Sequence, residues 1–142
     1  MISTIVVGTD GSRTAQRAVA VAAELARRLD ATLHLVHGYH APSALEGAGP
    51  AVAGTARTTS SRWEEMSEAL LEVAAADPSL AGLRLVRHSE PLGAWQGIVA
   101  VAERVGADLV VVGNRGMRGT GESVPDAVAV HAPCHVLIAR TT

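Results

Sequence analysis

Asp108-Leu109-Val110-Val111-Val112-Gly113-Asn114-Arg115-Gly116 is the stretch that decides the fold. Successive residues of a strand point to opposite sides, and here both sides are aliphatic. A strand of that kind must be covered above and below, as in a parallel sheet packed between helices. Four further runs read as short strands: 4–8, 32–37, 83–88 and 134–139, the last running from Cys134 to Ala139. Between them lie helical patterns. In 13–29 the apolar residues Val19, Ala22, Ala23 and Ala26 share one face behind Ser12, an N-cap. Ser61-Arg62-Trp63-Glu64 has the form of a capping box and opens a helix over 61–76, which Pro78 prevents from continuing. Trp95, Ile98, Val99, Ala102 and Val105 line one face of 92–105, closed by Gly106. A short helix follows over 124–131, with Ser123 as N-cap and Asp126 at the reciprocal position. Strand and helix alternate throughout. Right-handed crossovers then predict one α/β domain over 1–142: a doubly wound, five-stranded parallel sheet flanked by four helices. The stretch 39–60 is rich in Ala, Gly, Pro, Ser and Thr and too long for an ordinary connection. It reads either as a flexible loop over a site or as disordered chain.

Composition removes several function classes. The 12 basic residues are all Arg, against 14 acidic ones, for a net charge of −2. That balance argues against a nucleic-acid partner, and Trp63, Trp95 and Tyr39, the only aromatics, cannot form a base-stacking platform. A single cysteine, Cys134, excludes an intrachain disulfide framework and a Cys-rich zinc site. No run approaches the roughly 18 apolar residues of a membrane span. Residues 1–7 lack the basic start of a secretory signal, so a cytoplasmic location without a membrane partner is expected. His37 with His40, and His131 with Cys134 and His135, are spaced without clear convergence, so no metal site is expected. No Gly-x-Ser-x-Gly elbow or other nucleophile–base–acid set stands out, and no catalytic residue is assigned.

An internal echo locates a candidate site. Ile5-Val6-Val7-Gly8-Thr9-Asp10-Gly11-Ser12 and Val110-Val111-Val112-Gly113-Asn114-Arg115-Gly116 both end a buried strand on glycine and continue as a polar, Gly-containing loop into a helix. In a 3-2-1-4-5 sheet these loops flank the point where the winding reverses, where ligands bind. The segment from Gly113 through Gly116, Gly119 and Gly121 to Ser123 and Val124 is dense in glycine and leads into a helix start. Backbone N–H groups and a helix N-terminus in that arrangement suit phosphate. It is not a Walker A loop, because the chain has no Lys. Nor is it a dinucleotide fingerprint, since Val124 stands at the third glycine position and the loop follows the fourth strand.

The opening block, the block 107–117 and the ending Ser123-Val124-Pro125-Asp126-Ala127-Val128 with His131-Ala132-Pro133-Cys134-His135-Val136-Leu137-Ile138 resemble the universal stress proteins. The resemblance covers essentially the whole chain. It implies a Rossmann-like domain that forms a homodimer through the last strand and binds ATP or another adenine nucleotide, with or without Mg2+, in a G-x2-G-x9-G-[S/T] loop. Carried over by position, Asp10 and its neighbour Thr9 contact the nucleoside, and the Gly38 backbone reads the adenine edge. Gly113 and Gly116 are the first loop glycines, and Ser123 and Val124 cradle phosphate.

This chain departs from that pattern at the phosphate end. Only Met117, Arg118, Gly119, Thr120 and Gly121 separate Gly116 from Glu122, and Glu122 stands where the family has glycine. A carboxylate there repels a triphosphate. In the other reading Gly121 takes the backbone role and Glu122 turns outward, toward the positive end of the helix dipole. Arg115 and Arg118 read either as phosphate partners or as solvated loop charges. The expected function is a dimeric stress-response protein that binds ATP, AMP or cyclic AMP. The alternative is a member that has lost the nucleotide and acts as a protein-interaction module. Slow ATP hydrolysis would be incidental.

Overall fold

The computed structural model describes residues 1–41 and 55–142, the side chains of residues 55–60 excepted. Its elements alternate: β1 (Thr4–Gly8), α1 (Arg13–Leu29), β2 (Thr32–Gly38), α2 (Thr55–Ala75), β3 (Leu85–Glu90), α3 (Ala94–Val105), β4 (Leu109–Gly113), α4 (Val124–His131) and β5 (His135–Ala139). The strands form one five-stranded sheet in the order β3-β2-β1-β4-β5, every pair parallel. Val6 is opposite His34 on one side and Val110 on the other, which fixes the register at the centre. Among the described residues no helix is long and apolar enough to cross a membrane.

The two aliphatic faces of the central strands supply two cores. Ile5, Val7, Leu33, Leu35, Leu109 and Val111 pack against Ala18, Val19, Ala22, Ala23 and Ala26 of α1 and Leu71 of α2. The alternate residues Val6, Val36, Val110 and Val112 pack against Ile98, Val101 and Ala102 of α3 and Val128 of α4. Val110 and Val111, adjacent in β4, are both fully buried, one in each core. Burial of each such side chain is worth about 1.5–3 kcal/mol. The alanine face of α1 brings its backbone close to β1 and β4, which holds the start of that helix beside the strand ends.

Several boundaries differ from the sequence expectation. Ser61 and Glu64 lie inside α2, which begins at Thr55. None of residues 55–60 is Gly or Pro, so nothing in the chain stops the helix at the local capping signal. The loop expected over 39–60 therefore ends earlier, and its portion 42–54 lies outside the described residues. The third strand starts at Leu85 rather than 83, because the Leu83 N–H is held by the Leu80 carbonyl in the preceding turn (3.2 Å). Helix α3 starts at Ala94 rather than 92, behind Gly93 at φ 82°, whose N–H bonds the Tyr39 carbonyl (3.0 Å). Cys134 precedes β5 instead of belonging to it, since pairing with β4 begins at His135 opposite Leu109. It is half-buried, and burial pushes its thiol pKa up, with the Asp108 charge adding to the effect.

Candidate nucleotide site

The turn after β1 is built from three local hydrogen bonds. Thr9, 7% exposed, is anchored by its N–H to the Val36 carbonyl (2.8 Å), and its Oγ1 accepts from the Gly11 N–H (3.1 Å). Asp10 Oδ1 accepts from the Ser12 N–H (2.9 Å), and Ser12 Oγ caps α1 by accepting from the Ala15 N–H (3.2 Å). Gly11 takes φ 80°, where an L side chain is strained. The turn leaves Asp10 exposed at the mouth of the strand ends. Partial burial opposes ionisation of its carboxyl, but hydrogen bonds from Ser12 and the Arg115 charge outweigh it and hold the pKa below the ordinary value.

The loop after β4 faces this turn. Gly116 adopts φ 88°, and the Met117 N–H returns to the Asn114 carbonyl (3.3 Å). Between the two turns lies a crevice of about 370 Å³. Of the residues expected at a site, Thr9, Asp10, Gly38, Gly113, Arg115, Gly116 and Val124 line it together. Gly119, Gly121 and Ser123 do not. The first two stay out on the exposed part of the loop, and a Cβ at Gly121 would meet nothing within 4 Å. Arg118 is exposed and also lies off the lining.

Ser123 has a different task. Its hydroxyl donates to the Asp126 carboxylate, its N–H donates to Asp126 Oδ2 (3.2 Å), and the Asp126 N–H donates back to Ser123 Oγ (3.4 Å). This reciprocal capping box was legible in the sequence. It engages the Ser123 hydroxyl, one of the two donors expected to cradle phosphate. Pro125 has no N–H, which leaves the Val124 amide, among the described residues, as the donor of that turn free for an anion.

The walls are aliphatic. Ala15 and Ala18 of α1, Val36, Ile98, Val112 and Pro125 supply them, and Thr141 closes one side. Sequence reasoning passed over Ala15 and Ala18 as ordinary helix residues and had no signal for Thr141. Tyr39, the aromatic nearest Gly38 in sequence, stacks on His37 at 6.1 Å instead of lining the crevice. A second hollow of about 450 Å³ between α1 and α2 shares Thr9 and Asp10, so Asp10 stands on the ridge between the two.

Histidines fill polar roles elsewhere. His37 Nδ1 lies 2.7 Å from Ser67 Oγ, which also accepts from Ser89 Oγ at 2.7 Å. Ser67 is 1% exposed, beyond reach of a substrate. His131 stacks on Trp95 at 4.7 Å. Among the described residues no group of three or more His, Cys, Asp or Glu side chains could hold a metal ion. His34 Nδ1 and His88 Nε2 pair at 2.8 Å across β2 and β3. Burial lowers the pKa of both below the ordinary 6.5, and at His88 the His34 and Arg104 charges add to it against Glu90. Burial lowers His37 as well, opposed by Asp10.

In unfolded chain these three imidazoles take up protons near 6.5, while in the folded chain they do so at lower pH. The unfolded state then binds more protons across that interval, so stability falls as pH drops below about 6.5. The depressed carboxylates of Asp10, Asp77 and Asp108 act only at more acid pH, because their ordinary value is 3.8. The expected result is a lower Tm at pH 5.5 than at pH 7.5, with a smaller fall in His88→Gln. An equal fall in that variant would contradict the assignment.

A doubly wound parallel sheet whose crevice opens where the winding reverses belongs to the α/β class that binds small ligands at strand carboxyl ends. Within that class, the sequence pattern of the Universal stress protein family matches residues 1–140. Universal stress protein SH1215 of Staphylococcus haemolyticus is 30% identical over 145 aligned positions, covering 96% of this chain and 84% of that protein. A universal stress protein solved in complex with cAMP superposes with a TM-score of 0.74 at 30% identity, covering 99% of this chain and 98% of the other. The Archaeoglobus fulgidus protein, solved in complex with dAMP, shares the fold at a TM-score of 0.56 and 22% identity, covering 97% and 98%. The chain belongs to the universal stress protein family.

Proposed function

We propose that the crevice binds an adenine nucleotide with few phosphates, AMP or cyclic AMP ahead of ATP, and that the protein is a regulator rather than a catalyst. The observation that carries this reading is the convergence of Asp10, Gly38, Gly113 and Gly116 on one aliphatic crevice. A relative of the same fold at 30% identity was solved with cAMP. In this reading Asp10 accepts from ribose hydroxyls, the Gly38 backbone meets the adenine edge, and Val36 and Ile98 flank the base. Arg115 and the Val124 amide meet a phosphate. With the Ser123 donors engaged by Asp126, a single phosphate fits this end better than three, and Mg2+ would enter only with a polyphosphate.

The same Ser123–Asp126 box favours a second reading, in which the domain has lost nucleotide binding and serves as an interaction module. In either reading, the edge of β5 opposite β4 suits pairing with a second copy across a two-fold axis, where Ile138, 38% exposed, would be covered. A cytoplasmic location fits both.

The test is direct. Denatured protein should release an adenine nucleotide on chromatography, or the native protein should gain thermal stability with AMP or cyclic AMP. At ligand near one hundred times Kd the gain is about 2.7 kcal/mol. No released nucleotide and no shift at millimolar ligand would refute binding and leave the second reading.

A further inference from the structure

We propose that Thr141 forms a wall of the nucleotide crevice, and that Asn114 is the positioning residue that latches the segment Thr141–Thr142 onto the loop after β4. The inference deepens the nucleotide reading and rests on it for its ligand. Residues beyond a last strand usually fray. Thr141 instead is 2% exposed and lines the crevice. Asn114 Oδ1 accepts from the Thr141 N–H (2.8 Å) and hydroxyl (3.1 Å), and more distantly from the Thr142 N–H (3.2 Å) and hydroxyl (3.3 Å). A carboxamide oxygen has two lone pairs, so the two Thr141 bonds are the principal ones. From the other side, Arg17 of α1 donates to the Thr141 carbonyl (2.8 Å).

The latch sits between two residues that would hold ligand. Gly113 and Arg115 flank Asn114 in sequence, and both line the crevice. Fixing the Asn114 side chain therefore fixes the backbone that presents them. Gly113 also carries a steric imprint of the segment: a Cβ there would stand 2.9 Å from Thr141 Oγ1. A methyl at 113 would press on this chain's own threonine, whatever the ligand demands. The arrangement holds the anion end of the crevice in place before ligand arrives, which removes an ordering cost from binding.

Four variants test it: Asn114→Leu, of similar size without the acceptor; Asn114→Asp, which keeps an acceptor; Arg17→Met, at an exposed position; and a stop after Arg140. Amide hydrogen exchange over 113–116 and affinities for adenosine and AMP are measured on each. Asn114→Leu and the stop variant should raise exchange in 113–116 and weaken AMP by about tenfold, equivalent to about 1.4 kcal/mol, and adenosine by a smaller factor. Arg17→Met should shift both readouts in the same direction by a smaller factor. Asn114→Asp should keep wild-type exchange and adenosine affinity but lose AMP affinity, because it adds a negative charge between Gly113 and Arg115 at the anion end of the crevice. A role in stability alone would not separate adenosine from AMP. Unchanged exchange in Asn114→Leu and in the stop variant overturns the latch. If wild type binds neither ligand, the nucleotide reading falls and exchange alone decides the latch.

Discussion

Replacing Gly38 by alanine should lower Tm by about 10 °C, the largest effect expected of a methyl added at any of the described glycines. The last residue of β2 lies against the start of α3, and a Cβ at 38 would be driven into the Gly93 carbonyl. The carbonyl carbon would be 2.7 Å away and the Ala94 Cα 3.0 Å. These are backbone atoms, pinned by the Gly93 N–H to Tyr39 carbonyl bond (3.0 Å), so they cannot swing aside as a side chain would. Gly97, one turn on, repeats the approach with a would-be Cβ 3.1 Å from the Gly38 Cα. The cost is put at about 3 kcal/mol, the upper part of the overpacking range. Gly8→Ala is milder, because the obstructing atoms belong to the flexible Ile98 side chain. Gly121→Ala, with open space around it, should stay within about 0.5 kcal/mol of wild type. Thermal unfolding of the three variants checks the order, and a Gly38→Ala protein as stable as Gly121→Ala would contradict it.

Asp10→Asn should weaken nucleotide binding by about tenfold to a hundredfold while leaving the fold intact. The amide oxygen can still accept from the Ser12 N–H, so the turn into α1 is preserved. What is lost is the ionised acceptor that Ser12 and Arg115 keep charged at the crevice mouth. Hydrogen bonds to a charged group contribute about 1.5–3 kcal/mol, which sets that range. Calorimetric titration of wild type and variant with AMP measures it. Equal affinities would assign Asp10 to the turn and not to the ligand.

The two strand-end loops were legible because their chemistry is local. Aliphatic runs ending in Gly8-Thr9-Asp10 and Gly113-Asn114-Arg115 specify both buried parallel strands and the polar turns beyond them. The sheet order brings the turns together without further information. Ser123 was ambiguous because the same hydroxyl that fits a phosphate cradle also fits a capping box, and in the structure Asp126, three residues on, engages it. Sequence showed both features but not their competition for the same donors. Glycines were ambiguous in a similar way. Gly38 is required by the Gly93 backbone and Gly113 is crowded by the Thr141 side chain, both distant in the chain, whereas Gly121 has open space around it. The start of α2 was missed because a capping signal marks a permitted boundary and helix propagation runs past it.

The central claim is that one adenine nucleotide sits between the ends of β1 and β4. Titrating cyclic AMP into isotopically labelled protein, with backbone amide resonances followed by NMR, tests it most directly. The account predicts saturable shifts centred on Thr9, Asp10, Gly38, Gly113, Gly116 and Val124, with little change at Gly82 and Gly106, which lie off the crevice lining. No saturable shift at millimolar ligand, or shifts centred away from these strand ends, would contradict it.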